Sequence, residues 1–112
     1  MSEWRPCSVP TKSKLVYLAP ATQDMEEIVK YHLTQVGLDS ARRIYALMKE
    51  EIGRLASFPL MGQIHPDPLL AAEGYRKLVL TDTYVAIYKV IDGTVFIYHV
   101  ANGRTDYPRL LR

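Results

Sequence analysis

The residues that could bind a metal ion or act as nucleophiles are few and widely separated along this chain. His32, His65 and His99 are 33 and 34 residues apart, and the single cysteine, Cys7, lies far from all three. Metal sites usually pair their ligands at short spacings, so we expect no metal site. No glycine-rich phosphate loop occurs, and we expect no cofactor. A lone cysteine cannot form an internal disulfide, which fits a reducing cytoplasm.

The charged residues do not by themselves identify a ligand. The chain has 14 Lys and Arg residues against 12 Asp and Glu, a formal net charge of +2. This excess is too small to indicate nucleic-acid binding, so the positions of the basic residues matter more than their number. The acidic pairs Glu26-Glu27 and Glu50-Glu51 fall on helix flanks and are expected to be solvated. His99 falls in the middle of a strand, where a structural role is expected.

A single domain must position these residues, because 112 residues are about one domain's length. Residues 1–13, which include Pro6 and Pro10, are expected to form an irregular extension, and residues 14–112 form the domain. No segment approaches the ~20 apolar residues of a membrane span, and the N-terminus lacks the apolar core of a signal peptide. We therefore expect a soluble, cytoplasmic protein that contacts no membrane.

Two amphipathic helices are predicted in the first half of the domain. Residues 22–36 carry an apolar stripe at helical spacing, and Gly37 follows as a stop signal. A second stripe runs to about residue 57, with Asp39 or Ser40 as the expected N-terminal cap. The short connection between the two predicts a helical hairpin.

Four strands are predicted, one before the helical hairpin and three after it. They cover residues 14–18, 75–80, 84–90 and 94–100. Asp92-Gly93, between the last two strands, is typical of a two-residue hairpin turn. The order β-α-α-β-β-β predicts an α+β fold in which the helical hairpin packs on an antiparallel sheet.

The Asp92-Gly93 turn predicts a register for the last two strands. A two-residue loop pairs Lys89 with Phe96 and Ile87 with Tyr98, and side chains then alternate between the faces. One face carries Val85, Ile87, Lys89, Phe96, Tyr98 and Val100, and the other carries Tyr84, Ala86, Tyr88, Val95, Ile97 and His99. Neither face is clearly polar, so both must be shielded from water by other parts of the chain or by a partner. The helical hairpin can cover one face, and the other indicates a partner.

The same alternation gathers basic residues on the face of Lys89. The alternation can be continued to the end of the last strand. It can also be continued into the strand over residues 75–80, if Asp82-Thr83 forms the turn between that strand and the next. The residues expected on this face or at its edge are Arg76, Lys89, Asn102, Arg104, Tyr107 and Arg109.

Residues 74–111 contain four features in a fixed order. They are an aromatic-Arg pair at Tyr75-Arg76, a Tyr-x-x-x-Tyr strand at Tyr84 and Tyr88, the Asp92-Gly93 turn, and Gly-Arg-x-Asp-Tyr at residues 103–107. In type, order and spacing they resemble the C-terminal half of toxins of the RelE/ParE superfamily. Upstream, the helical hairpin followed by Phe58-Pro59-x-x-Gly62 is similar to the ParE-like members.

This resemblance implies the toxin component of a type II toxin–antitoxin module, also known as a plasmid stabilisation or addiction module. It implies a cognate antitoxin whose C-terminal segment wraps the toxin as a helix or an added strand, which would supply the missing cover. RelE-like members act in the ribosomal A site and cut messenger RNA, whereas ParE-like members poison DNA gyrase without known cleavage chemistry.

If the chain cleaves messenger RNA, the predicted register and the chemistry of the reaction lead us to expect Arg76, Arg104 and Tyr107 in catalysis and Lys89, Arg109 and Asn102 in phosphate binding. Attack of the 2′-hydroxyl on phosphate needs acid–base groups and cations that hold the developing charge. The sequence also departs from the RNA-cutting pattern. Val85 and Leu78 stand at positions that are basic in those relatives, and Asn102 stands where many have histidine.

Three hypotheses follow for the function. The first is a ribosome-dependent messenger RNA endoribonuclease, motivated by Arg76, Arg104 and Tyr107. The second is a ParE-like, non-enzymatic inhibitor of DNA gyrase, motivated by the helical hairpin and by Val85. The third is a relative that binds its antitoxin but has lost toxicity.

Overall fold

Three helices and five strands make up the part of the chain that the structure describes. The computed structural model describes residues 14–105, 107 and 108, and the predicted extension over residues 1–13 lies outside them. In chain order the elements are β1 (Lys14–Tyr17), α1 (Ala19–Gln35), α2 (Leu38–Gly53), β2 (Gln63–Ile64), α3 (Pro68–Ala72), β3 (Arg76–Val79), β4 (Tyr84–Ile91) and β5 (Thr94–Asn102). A 3₁₀ turn over Arg54–Ala56 follows α2 directly.

The strands form one mixed sheet in the order β1-β5-β4-β3-β2. Strands β2 to β5 pair with antiparallel neighbours, whereas β1 runs parallel to β5, with Lys14 opposite Thr94. The predicted α+β fold, a helical hairpin packed on a sheet, is confirmed. The sheet is mixed because the first strand joins it as a parallel edge.

Strand β2 and helix α3 have no counterpart among the predicted elements. They span two and five residues, which is too short for hydrophobic periodicity to reveal. Local hydrogen bonds define α3 instead: the Asp67 carboxylate accepts from the backbone N–H groups of Leu69 and Leu70. Pro68 takes the first helical position, where its missing N–H would have had no helical partner.

The cap of α2 differs from the prediction. The helix begins at Leu38, and its N-cap is Gly37 rather than Asp39 or Ser40, so that prediction is wrong. Gly37 has a φ of 143°, a conformation that favours glycine. Its carbonyl accepts the first helical hydrogen bond, from the N–H of Ala41. Among the described residues, no helix is both long and apolar enough to cross a membrane.

The helical hairpin covers one side of the sheet, which we call the inner face. The core there contains Ala21, Met25, Met48, Ile52, Leu55, Leu78, Leu80, Ala86, Tyr88, Val95, Ile97 and Val100. Tyr88 is fully buried. Its hydroxyl donates to the Pro59 carbonyl and accepts from the Gly62 N–H, each at 2.9 Å. These two bonds attach the loop after α2 to the centre of the sheet.

The opposite side, the outer face, is covered in part by the chain's own C-terminal turn. Val85, Ile87 and Tyr107 form a second buried cluster, and Tyr75 and Ala101 pack against it. The cover that the sequence led us to expect from a partner is therefore supplied partly from within the chain.

A bulge in β5 changes which residues share a face. Tyr98 is an extra residue, so that Ile87 pairs with His99 and the predicted pairing of Ile87 with Tyr98 is wrong. Beyond an extra residue every side chain moves to the other face. Val100 consequently lies in the inner core and not on the outer face.

The register between β3 and β4 also differs from the prediction by one residue. Arg76 lies opposite Tyr88, whereas a turn at Asp82-Thr83 would place it opposite Lys89. The loop is longer than that turn, because the Thr81 hydroxyl accepts hydrogen bonds from two backbone N–H groups and sets a wider bend.

Replacing Gly62 with alanine is expected to destabilise the fold. A Cβ atom there would lie 2.6 Å from the Lys77 carbonyl oxygen and 2.7 Å from the Tyr88 hydroxyl. We expect Gly62→Ala to lower the free energy of unfolding, measured by urea denaturation, by about 1–3 kcal/mol. Gly53→Ala is the matched control, since nothing lies within 4 Å of its Cβ position. A loss of similar size in both variants would contradict this packing.

Candidate functional site

Arg76 lies on the inner face and binds the loop that follows α2. Its Nε donates to the Gly62 carbonyl at 3.1 Å, and its Nη2 donates to the Leu60 carbonyl at 3.3 Å. Its partner in the register, Tyr88, binds the same loop. The predicted position beside Lys89 is wrong because of the one-residue difference in register, and Arg76 acts here as a structural clamp.

Lys89 lies on the outer face, opposite Phe96 as predicted. Its Nζ is 4.4 Å from the centre of the Tyr75 ring and 5.3 Å from that of Tyr98. The two rings contact each other edge to face, with centroids 5.1 Å apart. The ammonium group is thus held beside an aromatic pair, an interaction that contributes about 0.5–1 kcal/mol at an exposed site.

Tyr107 anchors the C-terminal turn to the outer face. It packs with Val85 and Ile87, and its hydroxyl lies 2.9 Å from Nε2 of His65. Nδ1 of His65 accepts from the Asp67 N–H at 3.0 Å. In the neutral imidazole the proton must therefore reside on Nε2, which donates to the Tyr107 oxygen.

The surroundings keep this pair neutral. Burial lowers the pKa of His65, the positive charge of Lys77 lowers it further, and the carboxylate of Asp67 opposes them. Burial also raises the pKa of Tyr107, and Asp67 adds to the effect. Because both His65 nitrogens are engaged in hydrogen bonds, the imidazole cannot take up a proton without breaking one of them. The pair is an anchor and lacks the free nitrogen of a general base.

The remaining predicted residues lie around the end of β5. Asn102 is opposite Tyr84 on the helix side, so its predicted place on the face of Lys89 is wrong. Its Oδ1 accepts from the backbone N–H of Arg104 at 2.9 Å. The Arg104 residue is exposed in the turn that follows, and Arg109 lies outside the described residues.

The predicted residues that the structure describes do not form one site. Arg76 and Asn102 lie on the helix side of the sheet, Lys89 and Tyr107 lie on the outer face, and Arg104 lies in the turn beyond. Stabilising a phosphoryl transition state requires cations that converge on one point. Within residues 14–105, 107 and 108, no group of three His, Cys, Asp or Glu side chains could hold a metal ion.

A groove of about 470 Å³ runs along α1 between α2 and β1, and we call it the hairpin groove. It is lined by Tyr17, Thr22, Met25, Glu26, Val29, Lys30, Leu33, Tyr45 and Lys49. Leu33 and Tyr45 are about half exposed, at 47% and 49%. Apolar side chains that remain this accessible in a small domain are typical of a protein-binding surface.

Tyr17 gives the hairpin groove an unsatisfied polar atom. Its hydroxyl is buried and has no hydrogen-bond partner among the described residues. Burial, together with the neighbouring Tyr45, raises its pKa, and Nζ of Lys49 lies 4.3 Å from the centre of its ring. A buried donor without an acceptor costs about 1–3 kcal/mol, so this hydroxyl is a local weak point of the fold beside the groove.

The sequence carries no separate signal for the hairpin groove. The apolar stripe of α1 from Met25 through Ile28, Val29 and Leu33 to Val36 has the spacing of an ordinary helix that packs on a core. Leu33 therefore resembles a core residue in the sequence, although the structure leaves it 47% exposed.

Comparison with protein families identifies the chain. Residues 15–107 match the family model described as ParE toxin of type II toxin-antitoxin system, parDE. The chain belongs to this family. The predicted membership of the RelE/ParE superfamily is thereby confirmed. A comparison with curated protein sequences gave no match.

Solved structures share the fold of this ParE-family chain. A chain of the chromosomal ParDE toxin–antitoxin system from P. aeruginosa is 18% identical, with a TM-score of 0.70 over 83% of this chain and 98% of that one. A chain of the RelBE2 toxin–antitoxin complex of Mycobacterium tuberculosis is 21% identical, with a TM-score of 0.56 over 81% of this chain and 98% of that one. A chain of the E. coli DinJ-YafQ toxin–antitoxin complex is 14% identical, with a TM-score of 0.53 over 90% of this chain and 99% of that one.

Acidification is expected to destabilise the toxin through His65. With a lowered pKa in the fold, His65 stays neutral after the unfolded chain has begun to bind a proton. The contribution of neutral His65 to the free energy of unfolding is complete above about pH 6.5, the ordinary histidine pKa. It is lost as the pH falls below that value. Between about pH 7 and 5, the free energy of unfolding is expected to fall less steeply with decreasing pH in His65→Asn than in the parent chain. An NMR titration midpoint of His65 at or above the ordinary value would refute this.

Proposed function

We propose that this ParE-family toxin acts by binding its target and not by cleaving RNA, and that the target is DNA gyrase. The main support is the separation of Arg76 from Lys89, since the two lie on opposite faces of the sheet. Two of the five N–H donors of Arg76 bind Gly62 and Leu60, and these bonds hold its guanidinium on the face away from Lys89. ParE-like toxins, as the resemblance implies, poison gyrase without cleavage chemistry of their own.

Ribosome-dependent cleavage of messenger RNA is the second candidate, and the outer face is what favours it. Lys77 lies opposite Ile87, so it shares this face with Lys89 and Tyr107. Two ammonium groups beside a tyrosine could hold an RNA phosphate. Both nitrogens of His65 are engaged in hydrogen bonds, so this histidine offers no free general base to the described part of the face, which makes this candidate the weaker of the two.

We further propose that the cognate antitoxin neutralises the toxin at the hairpin groove. The related RelBE2 and DinJ-YafQ structures are toxin–antitoxin complexes, which supports an antitoxin as partner. An amphipathic segment could cover Leu33 and Tyr45, which are about half exposed. Acidic side chains on that segment would suit Lys30 and Lys49, which both line the groove.

Three assays distinguish the mechanisms. Induction of the chain alone is expected to arrest growth, and the purified protein is expected to inhibit supercoiling by gyrase and to trap broken DNA. Messenger RNA on programmed ribosomes is expected to remain uncut. Arg104→Ala should still arrest growth, because no phosphate cluster depends on that residue.

The opposite results would support the other hypotheses. Cut messenger RNA, with arrest abolished in Arg104→Ala but retained in the exposed control Lys14→Ala, would support the ribonuclease. Intact growth at full expression of the folded chain would support a relative that only binds its antitoxin.

A charge placed in the hairpin groove is expected to prevent neutralisation. Leu33→Glu would bury a carboxylate against the apolar segment of the antitoxin, and we expect binding to weaken at least about tenfold. Coexpression of the antitoxin encoded by the neighbouring reading frame should then fail to restore growth. Val36→Glu is the matched control, since Val36 is 68% exposed and lies outside the groove. Equal rescue of both variants would exclude the groove as the antitoxin site.

A further inference from the structure

A second cleft, of about 610 Å³, lies between α1 and the end of the β4–β5 hairpin. It is lined by Asp24, Glu27, Ile28, Tyr31, His32, Thr83, Tyr84, Val100 and Asn102. Two of these residues are acidic, and no Lys or Arg occurs among the described residues that line it. In a chain with more basic than acidic residues, this is a local concentration of negative charge beside aromatic rings. We call it the acceptor cleft.

Asp24 is the fixed acid of the acceptor cleft. Its Oδ2 accepts from Nδ1 of His99 at 2.9 Å and from the backbone N–H of Val100 at 3.1 Å. Both bonds come from β5, so the sheet holds the carboxylate in place. Both also end on Oδ2, so Oδ1 takes part in neither of them.

Tyr84 presents a second acceptor to the cleft. Its hydroxyl lies 3.3 Å from Nε2 of His32, whose Nδ1 lies 3.1 Å from Oγ of Ser40. When the Tyr84 hydroxyl donates to Nε2 of His32, the Nδ1–H group of His32 donates to Oγ of Ser40. Each group in this series of hydrogen bonds then has a partner. The Tyr84 oxygen then offers lone pairs to the cleft. Burial, with Tyr31 adding to it, raises the pKa of Tyr84, so the hydroxyl keeps its proton.

Three aromatic rings lie beside these acceptors and contact one another in turn. Tyr31 packs edge to face on His32, with ring centroids 5.7 Å apart, and His32 contacts Tyr84 with centroids 6.0 Å apart. Tyr31 is 59% exposed, so its ring remains open to a group that enters from outside. A bare metal ion is not favoured here, because no three ligand side chains of the described residues converge.

We propose that the acceptor cleft binds an arginine side chain presented by a protein partner. A guanidinium group is planar, carries five N–H donors and stacks on aromatic rings, which matches fixed carboxylate and hydroxyl acceptors beside exposed rings. The proposal goes beyond the function proposed above, because it assigns a separate recognition site that does not depend on which target is inhibited.

The probe for this site is N-acetyl-arginine amide, titrated into the ¹⁵N-labelled full chain. We expect saturable shifts of the amide signals of Tyr31, Thr83 and Asn102, with half-saturation in the millimolar range expected for a ligand of this size. N-acetyl-citrulline amide has nearly the same shape without the charge, and it is expected to bind at least about tenfold more weakly.

Two exposed residues of the cleft allow a matched test by mutation. Glu27→Gln combined with Tyr31→Ala removes an acid and an aromatic ring without touching the core, and should raise the half-saturation concentration at least about fivefold. The control, which we call the α2 variant, combines Glu50→Gln in α2 with Phe58→Ala just beyond it. It changes an acid and an aromatic ring at exposed positions outside the cleft, and should leave the half-saturation concentration unchanged.

Any of three results would overturn the proposal. They are an absence of saturable shifts, equal binding of the citrulline compound, and equal loss of binding in the cleft variant and the α2 variant. Because the titration uses neither gyrase nor antitoxin, its failure would leave the proposed function untouched, and failure of the gyrase assay would leave this site untouched.

Discussion

Side-chain alternation along β4 and β5 determines where the functional groups of this toxin lie. In a strand the face of each residue follows from that of its neighbour, so the extra residue at Tyr98 reverses the positions from Val100 onward. The reversal turns Val100 into the core and Asn102 towards α1. It also brings the backbone N–H of Val100 to the carboxylate of Asp24. Because of the bulge, Val100 and Asn102 do not lie on the outer face with Lys89. They line the acceptor cleft instead.

The sequence predicts the order of the elements well, because that order depends on local signals. Asp92 and Gly93 have φ values of 51° and 76°, as a tight hairpin turn requires. The registers could not be predicted in the same way. The bulge is supported by Asp24, which is distant in sequence, and the bend before β4 depends on one hydroxyl, that of Thr81. A one-residue difference was enough to move Arg76 to the other face, and the predicted cluster of basic residues was lost with it.

Helix α1 carries both of the surfaces from which we argue function. Met25, Val29 and Leu33 line the hairpin groove, and Asp24 and Tyr31 line the acceptor cleft. One surface is apolar with lysines beside it, and the other is acidic and aromatic. A single helix therefore offers two chemically different contacts to partners. This division is what we would expect if the chain acts by binding its target, as proposed above.

The parallel pairing of β1 with β5 has a consequence for how the toxin is made. Lys14 lies opposite Thr94, so the first described strand to leave the ribosome pairs with the last one. Contacts between such distant segments form late and slow the folding of a domain. Val95 and Ile97 of β5 belong to the inner core, so the nascent chain can complete neither its sheet nor that core until β5 has been synthesised.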